Sequence, residues 1–116
     1  MIQTRRIYEP LGKEDGYRIL VDRLWPRGVA KEEAYIDLWL KEVTPSPSLR
    51  KWFGHNPVKW ESFRELYLEE LKKNRGPLEK IKALEREHGT VTLLYGAKDK
   101  EHAHPLVILE ALQSLK

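Results

Sequence analysis

Apolar residues in this chain gather in two short unbroken runs and recur at helical spacing in three longer stretches. Ile19-Leu20-Val21 is continuous and bounded by Arg18 and Asp22, and Val91-Thr92-Leu93-Leu94-Tyr95, closed by Gly96, has the same character. A strand with one face in water alternates, whereas continuous apolarity marks a strand covered on both faces. Tyr17 to Arg23 and Val91 to Tyr95 are therefore the expected central strands. Ile2 to Tyr8 carries polar residues on both faces and suits the edge of a sheet. Ile36, Leu38 and Leu40 alternate with Asp37 and Trp39, which predicts a further short strand.

Helix signals lie between and after these strands. Ser46 is a good N-cap followed by Pro47 in the first turn, and Gly54 stops that short helix after Trp52-Phe53. Asn56-Pro57 repeats the device. Beyond it Trp60, Phe63, Tyr67 and Leu71, spaced by three and four, form the apolar face of a long helix. Gly76-Pro77 opens the next, with a face of Leu78, Ile81 and Leu84 and a stop at Gly89. The last helix is expected to bury Leu106, Leu109, Leu112 and Leu115, with Pro105 in its first turn, where a missing N–H costs nothing.

Two covered strands with helices between and after them predict a small layered α/β domain. Its central sheet is expected to be mostly parallel, of three to four strands, flanked by helices. Residues 1–116 read as one domain, with no repeat or low-complexity tract. The connector Glu9 to Gly16 is shorter than the dozen or so residues of a usual crossover. An antiparallel hairpin of the first two strands is thus an open alternative.

Composition narrows the function classes. The chain has no Cys, which excludes a disulfide framework, a thiolate metal site and a cysteine nucleophile together. No apolar run reaches membrane-span length and the first residues lack a signal-peptide stretch, so a cytoplasmic protein with no membrane partner is expected. The net charge of +3 is modest and spread, favouring anionic small molecules or weak nucleic-acid contact.

Candidate chemistry gathers at two strand ends. Ligands of open α/β sheets bind outside the carboxyl ends of parallel strands. One such end is Asp22-Arg23-Leu24-Trp25-Pro26-Arg27-Gly28; the other runs from Gly96-Ala97-Lys98-Asp99 to His102-Ala103-His104. On a shared rim, Arg23, Arg27 and Lys98 would hold an anion, Trp25 would form a stacking wall, and Asp99 and His102 would complete the ligand contacts. Asp22 and His104 are the titrating, candidate catalytic pair for general acid–base chemistry. Plainer roles stand beside these: Asp99 as a cap or loop tie, Trp25 as a loop anchor, and the Asp22–Arg23 charges as a loop lock. His102 and His104 lack further ligands beyond Asp99 and distant His55, so no metal site is expected. There is no phosphate-binding glycine loop, dinucleotide fingerprint or nucleophile elbow around any serine. The cofactor, like the reaction, is left unassigned.

The block Asp15-Gly16-Tyr17-Arg18-Ile19-Leu20-Val21-Asp22-Arg23-Leu24-Trp25-Pro26-Arg27-Gly28 resembles the signature of the YeaO-like family, a branch of a bacterial and archaeal domain of unknown function. Asp37 to Val43, Leu49 to His55 and Thr92 to Asp99 resemble its later blocks, so the likeness spans nearly the whole chain. The broader superfamily often carries Cys-His-Arg where this chain has Ala103-His104-Pro105, and YeaO-like members commonly have Asn at the place of Ala103. Thiol chemistry therefore does not transfer, and the resemblance brings no activity with it. The expected function is binding of an anionic metabolite or nucleotide-like ligand on the rim, with a reaction there unassigned. The alternative is a nucleic-acid-binding or protein-interaction module using a basic surface.

Overall fold

The computed structural model describes residues 1–115. Strands β1 (Ile2–Arg6), β2 (Tyr17–Leu20), β3 (Leu38–Trp39) and β4 (Val91–Tyr95) form one sheet in the order β1-β4-β2-β3, with every neighbouring pair parallel. The two apolar runs are the two central strands, and polar β1 is an edge. The hairpin alternative is overturned. β4 lies between β1 and β2, pairing Tyr95 with Arg6 on one side and Leu94 with Leu20 on the other.

The short connector suffices, even with turns at residues 7–8 and 13–14, because the distance it must cover is small. Returning past a five-residue strand and across two strand spacings takes roughly 17 Å and 10 Å, while residues 7–16 at about 3.3 Å each can span roughly 33 Å. Asp15, almost fully buried, fixes the path. Its carboxylate accepts from Arg5 (2.9 Å), from the Gly12 N–H (3.1 Å) and from the buried Arg18 guanidinium. Its carbonyl accepts from the Thr92 hydroxyl at 2.7 Å. Burial alone would raise the Asp15 pKa, but the Gly12 N–H and the two guanidiniums together hold it below the ordinary carboxylate value. Gly16 then turns the chain into β2 with φ +63°, and a Cβ there would meet the Thr90 carbonyl oxygen at 2.3 Å.

The two faces of the sheet are covered differently. Ile19, Val21, Val91 and Leu93 face the main core beneath α2 (Pro47–Phe53), α3 (Trp60–Lys73), α4 (Gly76–His88) and α5 (Pro105–Ser114). Leu20 and Leu94 point the other way, into a smaller cluster with Ile7 from the connector and Ala34 from α1 (Lys31–Ala34). Helix starts and stops fall as the sequence predicts. The Ser46 hydroxyl accepts from the Leu49 N–H, Gly54 adopts φ 52°, and the Asn56 side chain accepts from the Val58 N–H ahead of a 3₁₀ turn that runs into α3. The buried face of α5 differs from expectation: it is Val107, Ile108 and Leu112, with Leu106, Leu109 and Leu115 only partly covered. Residues 106–109 are all apolar, so periodicity could not select which of them faces the sheet. Among the described residues, no helix is long and apolar enough to cross a membrane.

Candidate functional site

Where β2 and β4 end, the chain leaves toward opposite faces. β2 leads to α1 on the small-cluster side, and β4 leads to α5 on the main-core side. Such divergence opens a crevice at the carboxyl ends of neighbouring parallel strands. A cavity of about 330 Å³ lies there, lined from both strand ends and from the segment around α2.

Asp22, just past β2, is held at the mouth of β4. Its Oδ2 accepts from the Gly96 N–H at 2.8 Å, and a Cβ on Gly96 would stand only 3.1 Å from that oxygen. Glycine at 96 is what admits the carboxylate. The other oxygen, Oδ1, lies 3.8 Å from His104 Nε2, too far for a hydrogen bond. His104 opens α5, and its Nε2 sits 2.7 Å from the Val21 carbonyl oxygen. A carbonyl only accepts, so Nε2 carries the proton and Nδ1 is the ring's acceptor.

Both side chains are about one-fifth exposed, and burial governs their charge. Burial raises the Asp22 pKa to about 6, against the Gly96 N–H and the positive field of His55, which favour the anion. Burial lowers the His104 pKa to about 4; the Val21 hydrogen bond opposes that shift, while His55 and Arg50 add to it. At neutral pH the pair is a carboxylate beside a neutral imidazole.

The floor and rim come from residues outside the two strand-end loops. Phe53 and Phe63 stack with centroids 4.2 Å apart and line the cavity, as do Thr44 and Pro45. Arg50 and His55, both exposed, stand on its rim with Arg23. His55 adopts φ 56°, a left-handed backbone held by the turn after Gly54. His102 lines the wall: its Nδ1 meets Asp99 Oδ2 at 2.7 Å and its ring meets Trp60 edge-on at 5.5 Å. Among the described residues, no group of His, Asp and Glu has the arrangement to hold a metal ion.

The structure thus brings Asp22, Arg23, His102 and His104 together around the cavity; Trp25, Arg27, Lys98 and Asp99 do not line it, although Asp99 touches His102 from outside. Trp25 turns to the small-cluster face, donates to the Val29 carbonyl at 2.6 Å and packs edge-on against Trp39. It anchors its own loop and forms no wall of the cavity. Arg27 and Lys98 are exposed outside the lining. Asp99 is a loop tie, accepting from the Glu101 and His102 N–H groups. Sequence reasoning missed Arg50 and His55, which arrive from a helix and turn remote along the chain. The available signal was the turn Gly54-His55-Asn56-Pro57, which aims a histidine outward between two helix starts.

Fold and site together define a small parallel α/β domain with one charged, aromatic-floored crevice at its strand switch point. The family described as "Inactive DUF488-N3 subclade" matches residues 1–115. "Uncharacterized protein YeaO" of Escherichia coli is 45% identical over 114 residues, covering 98% of each chain. An uncharacterised protein of Mycobacterium tuberculosis is 33% identical over 111 residues, 96% of this chain and 92% of the relative. The chain belongs to this subclade, among the YeaO-like proteins. No solved structure matches it.

Proposed function

We propose that this chain is a cytoplasmic small-molecule-binding protein that takes an anionic, nucleotide-like ligand at the carboxyl ends of β2 and β4, and that it binds without turnover. One observation carries the reading. Arg23, Arg50 and His55 line a cavity of about 330 Å³ together with the stacked Phe53 and Phe63. Such a volume falls in the range of small-ligand sites, and planar guanidinium forks suit phosphate or carboxylate. Binding without turnover draws support from Ala103, which lines the cavity where superfamily relatives often carry cysteine. The matched family's description as inactive points the same way.

The test is thermal stabilisation by adenosine 5′-monophosphate and by pyrophosphate. A ligand at a hundred times its Kd stabilises by about 2.7 kcal/mol. Wild type and Arg27→Ala, altered outside the cavity, should respond alike, and Arg50→Ala should lose most of the response. Equal responses in wild type and Arg50→Ala refute the site.

A further inference from the structure

The rim and the depth of the cavity offer opposite chemistry. Arg23, Arg50 and His55 at the rim present N–H donors. Inside, the polarity reverses. His104 spends its only N–H on the Val21 carbonyl, and none of the described hydrogen bonds involves its Nδ1. Among the described residues no buried polar side-chain atom lacks a partner, so Nδ1 is not sealed off, and His104 lines the cavity. Asp22 Oδ2 is taken by the Gly96 N–H, while Oδ1 makes no hydrogen bond and faces His104 across 3.8 Å. Two open acceptors on different side chains therefore stand within 3.8 Å plus the width of one imidazole, and none of the described hydrogen bonds reaches either.

A ligand filling this depth must bring its own donors, and two of them. A cationic donor is disfavoured by the three basic groups at the rim. Two neighbouring hydroxyls supply one donor to each acceptor. Resting on the anion-binding reading of the same cavity, we propose that Asp22 Oδ1 and His104 Nδ1 accept hydrogen bonds from a vicinal diol of the ligand's sugar while Arg50 and Arg23 hold its phosphate. The ligand class is a ribose phosphate or ribonucleoside monophosphate. The two ends cannot exchange places, because a phosphate placed against the Asp22 carboxylate is repelled and finds no donor there. A site built to pair hydroxyls discriminates strongly against analogues lacking them, since its buried acceptors are left unpaired. The preference should weaken below about pH 6, where Asp22 takes up a proton and its carboxyl becomes a donor.

The experiment measures Kd at pH 7.5 by isothermal titration for ribose 5-phosphate, 2-deoxyribose 5-phosphate, adenosine 5′-monophosphate, its 2′-deoxy form and inorganic phosphate. Each ribo compound should bind at least about tenfold tighter than its deoxy partner, the loss expected for one hydrogen bond to a charged acceptor. Asp22→Asn keeps an oxygen for the Gly96 N–H and puts an amide donor where Oδ1 was. In that variant the ribo-to-deoxy ratio should fall to near one while phosphate binding persists. Ribo and deoxy compounds binding equally to wild type, or an unchanged ratio in Asp22→Asn, overturns the diol assignment and leaves anion binding standing. If none of the phosphate compounds binds wild type, both readings fall.

Discussion

Replacing Asp22 by Asn should stabilise the protein at neutral pH, and the gain should vanish in acid. The folded-state pKa of Asp22 is raised from 3.8 to about 6 by burial. Between those values the folded state holds a proton that the unfolded state has released. The associated stability is fully present below the unfolded pKa and is lost as pH rises through 6. A shift of about two units at 1.36 kcal/mol each amounts to about 3 kcal/mol. His104 runs the other way: its pKa falls from 6.5 to about 4, so its stability is present above 6.5 and lost as pH falls through 4. The two slopes oppose each other over the same window, and wild type should show little net dependence from this pair. Asn accepts from the Gly96 N–H without carrying charge, so the variant retains only the His104 slope. It should exceed wild type by up to about 3 kcal/mol at pH 7.5, roughly 10 °C in Tm for a chain of this length. Urea and thermal melts by circular dichroism at pH 4, 5, 6 and 7.5 give the comparison, with His104 and the surface carboxylates common to both proteins. A gap that is independent of pH, or that opens toward acid, refutes the reasoning.

Three further outcomes follow from the geometry. Asp15→Asn leaves the buried Arg18 guanidinium without its counter-charge and should cost about 3–5 kcal/mol in urea denaturation at pH 7; the deficit should shrink in acid, because the Asp15 pKa is lowered and its stabilisation is lost as pH falls through it, and a loss under about 1 kcal/mol would mean that Asp15 does not hold the connector. Gly16→Ala combines a positive φ with a Cβ 2.3 Å from the Thr90 carbonyl oxygen and should lower stability by about 2–4 kcal/mol; a Tm within a degree or so of wild type would place the turn elsewhere. Ala103→Cys puts a thiol into the cavity lining and should react slowly with iodoacetamide, more slowly still with adenosine 5′-monophosphate present; labelling unaffected by ligand would separate that position from the site.

How much of this was legible in the sequence differs between elements. Both central strands announced themselves as unbroken apolar runs, because each is covered on two faces. The Ser46-Pro47, Gly54 and Asn56-Pro57 signals act within a single turn of chain, so they survive without tertiary context. Strand order did not announce itself. Ile2 to Arg6 pairs with Val91 to Tyr95 at the far end of the chain, and what permits it is the buried Asp15–Arg18 pair, which in sequence looks like two more surface charges. Asp22, Arg23, His102 and His104 could be placed at strand ends by position alone. Arg50 and His55 could not, since their place on the rim depends on how α2 packs over the sheet. Trp25 was drawn to the wrong side by its loop: two residues after Arg23 the chain crosses to the other face, and its indole closes onto Val29.

Whether the crevice between β2 and β4 holds an anionic ligand is read most directly by an NMR titration of the ¹⁵N-labelled protein with adenosine 5′-monophosphate. The Gly96 amide, bonded to Asp22, should shift strongly together with the amides of Asp22, Arg23, His55 and His104 and the side-chain signal of Arg50. Arg27 and the amides of α4 should stay in place. Shifts confined to other surfaces, or no saturable shift at the β2 and β4 ends, would rule out ligand binding in this crevice.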